Sequence, residues 1–322
     1  MQRRDFVKAT TAAALSASWQ LTSADDFPSR PIQVVVPYAA GGADTFIRPL
    51  QAALASRHGI RLVIDTVVGS GGTIGAGKIK NSPADGYSLL FCGTGAMTIA
   101  PNMQSTPSVG PADFTPIVNL IKIPYFIAVK KGSPFADIQQ LIAFMKANPG
   151  KLNYGSPGNG SAPHLGMESV TRALGTSATH VPFTGIATAM TSLLGGHIDA
   201  VVGAPGNVMA QVDAGNINAL AVIAKDRFAL TPNVPALGEL GLDIDVSTHF
   251  GFFAPKGVSQ TVVSKLAAAI TDVASDPAYK KIMETARTGV YVIPGNALSQ
   301  IVMTEQARFA PLIEEVKKAA KK

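Results

Sequence analysis

The sequence predicts an α/β protein of two lobes, each built on a mostly parallel β-sheet. Short runs rich in β-branched residues alternate with helical patterns from Ile32 onward, which is typical of parallel sheets covered by helices. The length of 322 residues exceeds that of a usual single domain, so we expect two domains of roughly 120 to 180 residues. The final third loses the alternation. We therefore expect the chain to return and complete the first lobe, with a two-segment hinge and a ligand between the lobes.

The predicted strands and helices follow one another along most of the chain. Strands are predicted at residues 32–36, 62–66, 88–91, 126–129, 152–155, 180–182, 200–203 and 219–223. Helices are predicted where apolar residues recur every three or four positions, at residues 46–58, 138–147, 165–174, 187–194 and 208–214. After residue 241 we expect only a strand at 250–255 and helices at 261–275 and 298–318.

Composition and charge exclude several classes of protein. Apolar residues make up 47% of the chain and charged residues only 15%, which argues for a compact protein and against disorder. No stretch reaches the roughly 18 apolar residues of a membrane span. The formal charge of +6 is not arranged as a basic stripe with interleaved aromatic residues, so we do not expect nucleic acid as a partner. The single cysteine, Cys92, is predicted to be buried and inert.

The first 24 residues have the pattern of an export signal. Arg3 and Arg4 form a basic start, residues 9–21 are mildly apolar, and small residues at 22–24 offer a cleavage site. The twin arginines favour the twin-arginine route, while the general export route stays open. An amphipathic first helix is the alternative. We expect an exported chain that begins near Asp25.

Two glycine-rich junctions between a predicted strand and a predicted helix are the main candidates for a ligand site. They span residues 37–44, which include Gly41 and Gly42, and residues 156–164. Each junction should present free backbone N–H groups at a helix N-terminus, where negative charge is favoured. If the lobes bring the junctions face to face, they suit a ligand with two anionic ends.

Several candidate side chains also have structural interpretations. Gly41 and Gly42 could serve only as turn residues, although two consecutive glycines leave the junction without side chains. Asp44 could cap the helix that follows it, and Asp199 could cap a loop. The serine and asparagine side chains of the second junction could stabilise their own loop, and their short donors also suit a carboxylate.

The enzyme and metal signatures are incomplete. Residues 72–79 imitate a phosphate-binding loop, but Ile79 replaces the hydroxyl that would hold Mg²⁺. No G-x-S-x-G elbow is present, and the five histidines suggest no catalytic triad. We expect His164, His180 and His249 to be structural, because none has a carboxylate or cysteine partner at ligand spacing. No catalytic residue, metal or cofactor is predicted.

A series of different short motifs extends in a fixed order along nearly the whole chain after residue 26. They are Phe27-Pro28-Ser29-Arg30-Pro31-Ile32, Val36-Pro37-Tyr38 with Gly41-Gly42 and Asp44, Gly69-Ser70-Gly71-Gly72-Thr73-Ile74-Gly75-Ala76, Pro83-Ala84-Asp85-Gly86-Tyr87-Ser88-Leu89-Leu90, Pro149-Gly150-Lys151-Leu152-Asn153-Tyr154-Gly155-Ser156, Gly158-Asn159-Gly160-Ser161 with His164-Leu165, His180-Val181-Pro182-Phe183, Leu194-Gly195-Gly196-His197-Ile198-Asp199, and Gly251-Phe252-Phe253-Ala254-Pro255. In this order they resemble the extracytoplasmic substrate-binding proteins of tripartite tricarboxylate transporters, the Bug receptors.

This resemblance implies a type II periplasmic-binding-protein clamshell with parallel-rich mixed sheets and a hinge. It implies a first lobe from residues 25–123 and 248–322, and a second lobe from residues 124–247. It also implies a monomeric periplasmic receptor that binds a small carboxylate, such as an aliphatic or aromatic dicarboxylate, and passes it to a membrane permease. The alternatives are a ligand-sensing partner of a membrane kinase and an enzyme built on a similar fold.

The predicted ligand-binding residues come from the two junctions and from other segments of the resemblance. They are Tyr38, Ala40, Gly41, Gly42, Asp44, Thr94, Ser156, Asn159, Gly160, Ser161, His164, Phe183, Thr184, Asp199 and His249. We expect Tyr38, Phe183 and His249 to line one largely apolar pocket.

Overall fold

The computed structural model describes residues 27–40 and 43–319. The predicted export signal, Gly41 and Gly42 lie outside the described residues. The strands are β1 (Ile32–Val36), β2 (Leu62–Thr66), β3 (Ser88–Gly93), β4 (Phe114–Pro124), β5 (Phe126–Lys130), β6 (Asn153–Ser156), β7 (Thr179–Pro182), β8 (Ala200–Gly203), β9 (Ile217–Val222), β10 (Ser247–Pro255) and β11 (Gly289–Pro294).

Helices cover both faces of the sheets that these strands form. They are α1 (Asp44–His58), α2 (Thr73–Lys80), α3 (Gly95–Thr98), α4 (Ala100–Met103), α5 (Ile138–Ala147), α6 (Ala162–Ala173), α7 (Ile186–Gly195), α8 (Pro205–Asp213), α9 (Gln260–Ser275), α10 (Pro277–Thr285) and α11 (Gly295–Ala319). No helix among the described residues combines the length and hydropathy of a membrane span.

Two mixed sheets form the cores of two lobes. The six-stranded sheet has the order β11-β4-β10-β3-β1-β2, with β1, β2 and β3 parallel and the other pairings antiparallel. The five-stranded sheet has the order β7-β6-β8-β5-β9, with β6, β7 and β8 parallel. In both sheets the parallel strands run next to one another, so their carboxyl ends share one edge, where ligands bind in open α/β sheets.

The chain crosses between the sheets at two adjacent places. Tyr125 alone separates β4 from β5, and residues 223–246 lead from β9 back to β10. The Ile223 N–H donates to the Tyr125 carbonyl at 2.8 Å, and the Val246 N–H donates to the Ile223 carbonyl at 3.1 Å. Because the crossing segments are hydrogen-bonded side by side, they form the hinge of the clamshell.

The last helix packs on both lobes. Leu298 and Val302, near its start, are buried in a cluster of the first lobe. Phe309, Leu312 and Ile313, farther along, are buried in the core of the second lobe. Helix α11 therefore links the two lobes, although the resemblance assigns all of residues 248–322 to the first lobe.

Most strand predictions are confirmed. The strands predicted at 32–36, 62–66 and 200–203 have the observed bounds, and the five others before residue 224 differ by one or two residues at one or both ends. The expectation of a single strand after residue 241 is wrong, because β11 follows α10. Its side chains are half-buried on an edge strand and show no clear alternation. The prediction also missed β4, which is largely buried and carries Pro116, Asn119 and Lys122 within its run.

The interlobe cleft

A cavity of about 660 Å³ lies between the two lobes. The first lobe contributes Tyr38, Ser70, Gly71, Gly95, Ala96, Ile99, Ala100, Met103, Gln104, Thr248 and Phe250. The hinge and the second lobe contribute Tyr125, Pro157, Asn159, Gly160, Ser161, Ala162, Pro163, Ile186, Ala204 and Asn207. A ligand in this cavity would contact both lobes at once.

Strand-to-helix junctions build most of the cavity wall. Tyr38 follows β1, and Gly95 follows β3, at the carboxyl edge of the first sheet. Residues 157–163 follow β6, and Asn207 lies in the first turn after β8, at the carboxyl edge of the second sheet. The two carboxyl edges face each other, which brings the predicted junction at 156–164 opposite the first lobe.

The described lining of the cavity carries no charged side chain. Its polar groups are the hydroxyls of serine, threonine and tyrosine and the amides of asparagine and glutamine. An anion here would be held by neutral donors, and a cation would find no carboxylate. The chemistry of the lining thus favours anionic over cationic ligands.

Helices α7 and α8 begin at this cavity and supply backbone donors. The first intrahelical bond of α8 runs from the Val208 N–H to the Ala204 carbonyl, so the N–H groups of Gly206 and Asn207 have no acceptor within the helix. In α7 the first such bond runs from the Ala189 N–H to the Gly185 carbonyl, so the N–H groups of the first turn of α7 also have no acceptor within the helix. Free N–H groups and the helix dipole together favour negative charge.

Two asparagine side chains in the lining are unengaged. Asn159 and Asn207 are both exposed, and neither side-chain amide has a hydrogen-bond partner among the residues that the structure describes. Each amide can donate two hydrogen bonds. They are the side-chain donors best placed to reach a carboxylate from the second lobe.

The loop that carries Asn159 is shaped from behind by buried polar groups. The Ser156 hydroxyl lies 2.7 Å from His180 Nε2, and the Gly160 N–H donates to His164 Nδ1 at 3.0 Å. The Ser161 hydroxyl accepts from the His164 N–H at 3.3 Å and so caps α6. Ser156 and His164 are buried and support the loop, whereas Gly160 and Ser161 also line the cavity.

The two histidines behind the loop are neutral. Their rings are stacked, with centroids 3.8 Å apart and planes 12° from parallel. Burial, and secondarily the neighbouring His180, lowers the pKa of His164 to about 3. Burial also lowers the pKa of His180 to about 4. The contact from Gly160 requires this state, because His164 Nδ1 can accept a hydrogen bond only when it carries no proton.

We expect the free energy of unfolding to fall as the pH is lowered from about 6.5 toward about 4.5. In this window the unfolded chain binds protons at His164 and His180 that the native protein excludes, so unfolding becomes more favourable. Each histidine lowers the free energy of unfolding by at most about 1.4 kcal/mol for each pH unit within this window. Urea unfolding should show a shallower pH slope for His180→Asn than for the wild type. The exposed His197→Asn is the control, and equal slopes in all three proteins would contradict the prediction.

Tyr38, Ala40 and Asp44 occupy different environments in the first lobe. Tyr38 lines the cavity, and its hydroxyl accepts from the Gly93 N–H at 3.2 Å. Ala40 is exposed beside the undescribed glycines. Asp44 does not cap α1, as one interpretation expected, because it is the first helical residue. Its Oδ2 accepts from Arg48 Nε at 2.7 Å, while its buried Oδ1 has no hydrogen-bond partner within residues 27–40 and 43–319.

Thr94 and His249 lie behind the cavity wall. Both are buried, and the Thr94 N–H donates to the His249 carbonyl at 2.9 Å. His249 Nδ1 is directed at Glu305 Oε1, 3.2 Å away on α11. Its neighbours Thr248 and Phe250 line the cavity instead, because successive side chains of a strand point to opposite faces.

Phe183, Thr184 and Asp199 also lie outside the cavity lining. Phe183 packs into an apolar cluster of the second lobe, and Thr184 is exposed in the loop after β7. Asp199 precedes β8 at the amino edge of the sheet, where its Oδ2 accepts from the Asn153 N–H at 2.8 Å. This contact agrees with the loop-capping interpretation. The expectation that Tyr38, Phe183 and His249 line one pocket is wrong, since Tyr38 alone of the three lines it.

The sequence reasoning missed most of the lining, since only Tyr38, Asn159, Gly160 and Ser161 of the predicted site residues belong to it. The missed residues that carry polar or bulky side chains are Ser70, Ile99, Met103, Gln104, Tyr125, Ile186, Asn207, Thr248 and Phe250. Two signals were available. The predicted strand at 200–203 is followed by a proline, a glycine and Asn207, which is a third strand-to-helix junction. Side chains alternate between the two faces of a strand, so this alternation would have predicted either His249 or its neighbours Thr248 and Phe250 on the face toward the cleft, but not all three.

Residues 46–318 match the model of the tripartite tricarboxylate transporter family receptor. The chain belongs to this family. A Cupriavidus necator relative, the UPF0065 protein in the gbd 5' region, is 31% identical over 329 residues, covering 98% of each chain. The family consists of solute-binding receptors, so the enzyme alternative is excluded.

Solved structures of such receptors have the same fold. A TctC solute-binding protein from Polaromonas, without ligand, is 30% identical to this receptor, with a TM-score of 0.81 over 90% of this chain and 99% of its own. MatC from Rhodopseudomonas palustris, with bound malate, is 27% identical, with a TM-score of 0.72 over 89% and 100%. An R. palustris protein with adipate is 26% identical, with a TM-score of 0.75 over 91% and 99%. The type II clamshell expected from the resemblance is thereby confirmed.

Proposed function

We propose that this receptor works outside the cytoplasm, captures a small dicarboxylate between its lobes and delivers it to the membrane permease of a tripartite transporter. The observation that carries the proposal is the uncharged interlobe cavity at which α7 and α8 begin. Helix N-termini favour negative charge and amide N–H groups donate to carboxylates, whereas the described lining has no carboxylate to neutralise a cation.

The donors in the cleft suffice for useful affinity. A hydrogen bond to a charged group contributes about 1.5 to 3 kcal/mol net. Four or five such bonds, from Asn159, Asn207 and the free N–H groups of the second lobe, would support a Kd near 1 μM, about −8.2 kcal/mol, after the costs of association.

A dicarboxylate fits the distribution of groups better than a monocarboxylate. Amide and N–H donors lie on the second lobe, the hydroxyls of Ser70 and Thr248 and the Gln104 amide lie on the first, and Phe250 provides apolar surface in the cavity wall. Malate and adipate, the ligands of two similar receptors, are both dicarboxylates. An aromatic dicarboxylate is a variant of the same proposal.

Binding and release would follow from lobe closure about the hinge. A ligand that contacts both lobes stabilises the closed form by contacts that the open form lacks, so it shifts the population toward closure. The proposed lobes are residues 25–123 with 248–322, and residues 124–247. The mature protein is proposed to be a periplasmic monomer that begins near Asp25.

A thermal-shift screen of the mature protein tests the proposal. At a concentration 100 times its Kd, a ligand stabilises the native state by about 2.7 kcal/mol, which for a chain of this size raises Tm by about 5 °C. We expect adipate, malate or an aromatic dicarboxylate to have this effect, and the diamine 1,6-diaminohexane to have none. Stabilisation by the diamine and by no carboxylate would overturn the proposal.

A further inference from the structure

Met103 and Gly160 meet across the cleft. Met103 ends α4 in the first lobe, Gly160 lies in the loop after β6 in the second, and both line the cavity. A Cβ atom placed on Gly160 would lie 2.8 Å from Cγ, Sδ and Cε of Met103. The whole end of the methionine side chain therefore rests on a glycine that has no side chain of its own.

The backbone that carries Met103 is held in place from behind. The Asn102 side chain donates to the Thr98 carbonyl at 2.9 Å, and the Asn102 carbonyl accepts from Lys317 Nζ of α11 at 3.2 Å. Ile99, one turn earlier, is only 4% exposed and is buried in the core of the second lobe. The Met103 side chain, by contrast, is unbranched and half-buried, and it can fill a space of variable shape.

The loop under Met103 separates two cavities. A second cavity, of about 490 Å³, is lined by His164, His180 and Leu312, and Asn159 lines both it and the cleft. The Met103 side chain covers this loop on the cleft side. It therefore lies in the cleft at its boundary with the second cavity, and we take this boundary as the end toward which a longer ligand would extend.

We propose that Met103 sets the length of the dicarboxylate that the cleft accepts. This inference rests on the proposed function. Truncation to alanine removes Cγ, Sδ and Cε, and the space they fill becomes available to additional methylene groups of a ligand. Each methylene buried there raises affinity about fourfold. The carboxylate donors themselves are unchanged, because Met103 has no part in them.

Calorimetry with succinate, adipate and suberate tests the proposal on the mature protein. For Met103→Ala, the affinity for suberate relative to adipate should rise by about 16-fold, fourfold for each of the two extra methylenes. Met103→Phe should shift preference the other way, toward succinate, since its larger ring shortens the cleft. Met97→Ala is the matched control. Met97 is fully buried in the first lobe outside the cavity, so its truncation should lower stability and leave the ratio unchanged.

The outcomes separate the two proposals. If the wild type binds these acids but neither Met103 variant changes the ratio, the role of Met103 is overturned and the proposed function stands. If Met103→Ala fails to fold, Met103→Phe decides the question by the direction of its shift. If the wild type binds no carboxylate, the proposed function fails and the length selection falls with it.

Discussion

Asn207→Asp is expected to lower carboxylate affinity about 100-fold without destabilising the receptor. The change replaces an unengaged amide donor at the cavity with a negative charge, which repels the ligand and competes for the free N–H groups of α8. The fold should tolerate it, because Asn207 is exposed in the first helical turn, where a carboxylate stabilises the helix by about 0.3 to 1 kcal/mol.

Gln139→Glu is the matched control for this prediction. Gln139 is exposed in the first turn of α5 and lies outside the cleft lining, so the same exchange of amide for carboxylate occurs at a helix start without a ligand. Calorimetry with the best ligand of the thermal-shift screen should show unchanged affinity for Gln139→Glu. Unchanged affinity for Asn207→Asp as well would show that α8 does not contact the ligand.

Phe250→Ala is expected to weaken ligand binding by about 1 to 3 kcal/mol, which is the free energy gained when a ligand buries its apolar surface against one aromatic ring. Phe250 lies on the cavity wall and packs edge-on against Phe46 at 5.3 Å and Tyr38 at 6.1 Å between ring centroids. Its truncation removes apolar surface from the cavity wall and loosens Tyr38 beside it. An aromatic dicarboxylate should lose more affinity than a short aliphatic one.

Phe183→Ala separates this role from general packing. Phe183 was expected in the pocket, but it packs over Gly155, where a Cβ atom would lie 3.0 Å from Phe183 Cε2. We expect a lower urea midpoint and nearly unchanged affinity. If Phe183→Ala weakens binding as much as Phe250→Ala, the ligand lies deeper in the second lobe than the cavity indicates.

The junction after β6 shows how much of the site could be predicted from the sequence. Glycines after a β-branched run, with serines and an asparagine, predict a loop that presents donors, and Asn159, Gly160 and Ser161 do line the cavity. Ser156 and His164 belong to the same motif, yet they are turned inward and hold the loop through hydrogen bonds to His180 and Gly160. A motif specifies which residues lie near a site, and packing behind the loop decides which of them face it.

His249 and Phe183 illustrate the limit of the same reasoning. Phe183 was assigned to the pocket as part of a motif and His249 as a residue close to one, without regard to the face of its strand or loop. Successive side chains of a strand lie on opposite faces, so an assignment that is wrong by one residue selects the wrong face. On β10 the side chains of Thr248 and Phe250 face the cleft, and His249 faces Glu305. Met103 and Tyr125 carried no motif at all, and only the folded chain shows that they line the cleft.

The sequence by itself determined the alternation of strands and helices, the two-lobe clamshell, the family and one of the facing junctions. These features depend on local periodicity, on turn residues and on the order of motifs along the chain, all of which can be recognised in short segments of the sequence. Only the tertiary structure decided that the described lining of the cavity has no charged side chain, that α8 and Asn207 face the cavity, that α11 packs on both lobes and that Met103 covers Gly160. These features arise where segments far apart in the chain come together, and the side-chain directions and packing that produce them are not encoded in any single segment.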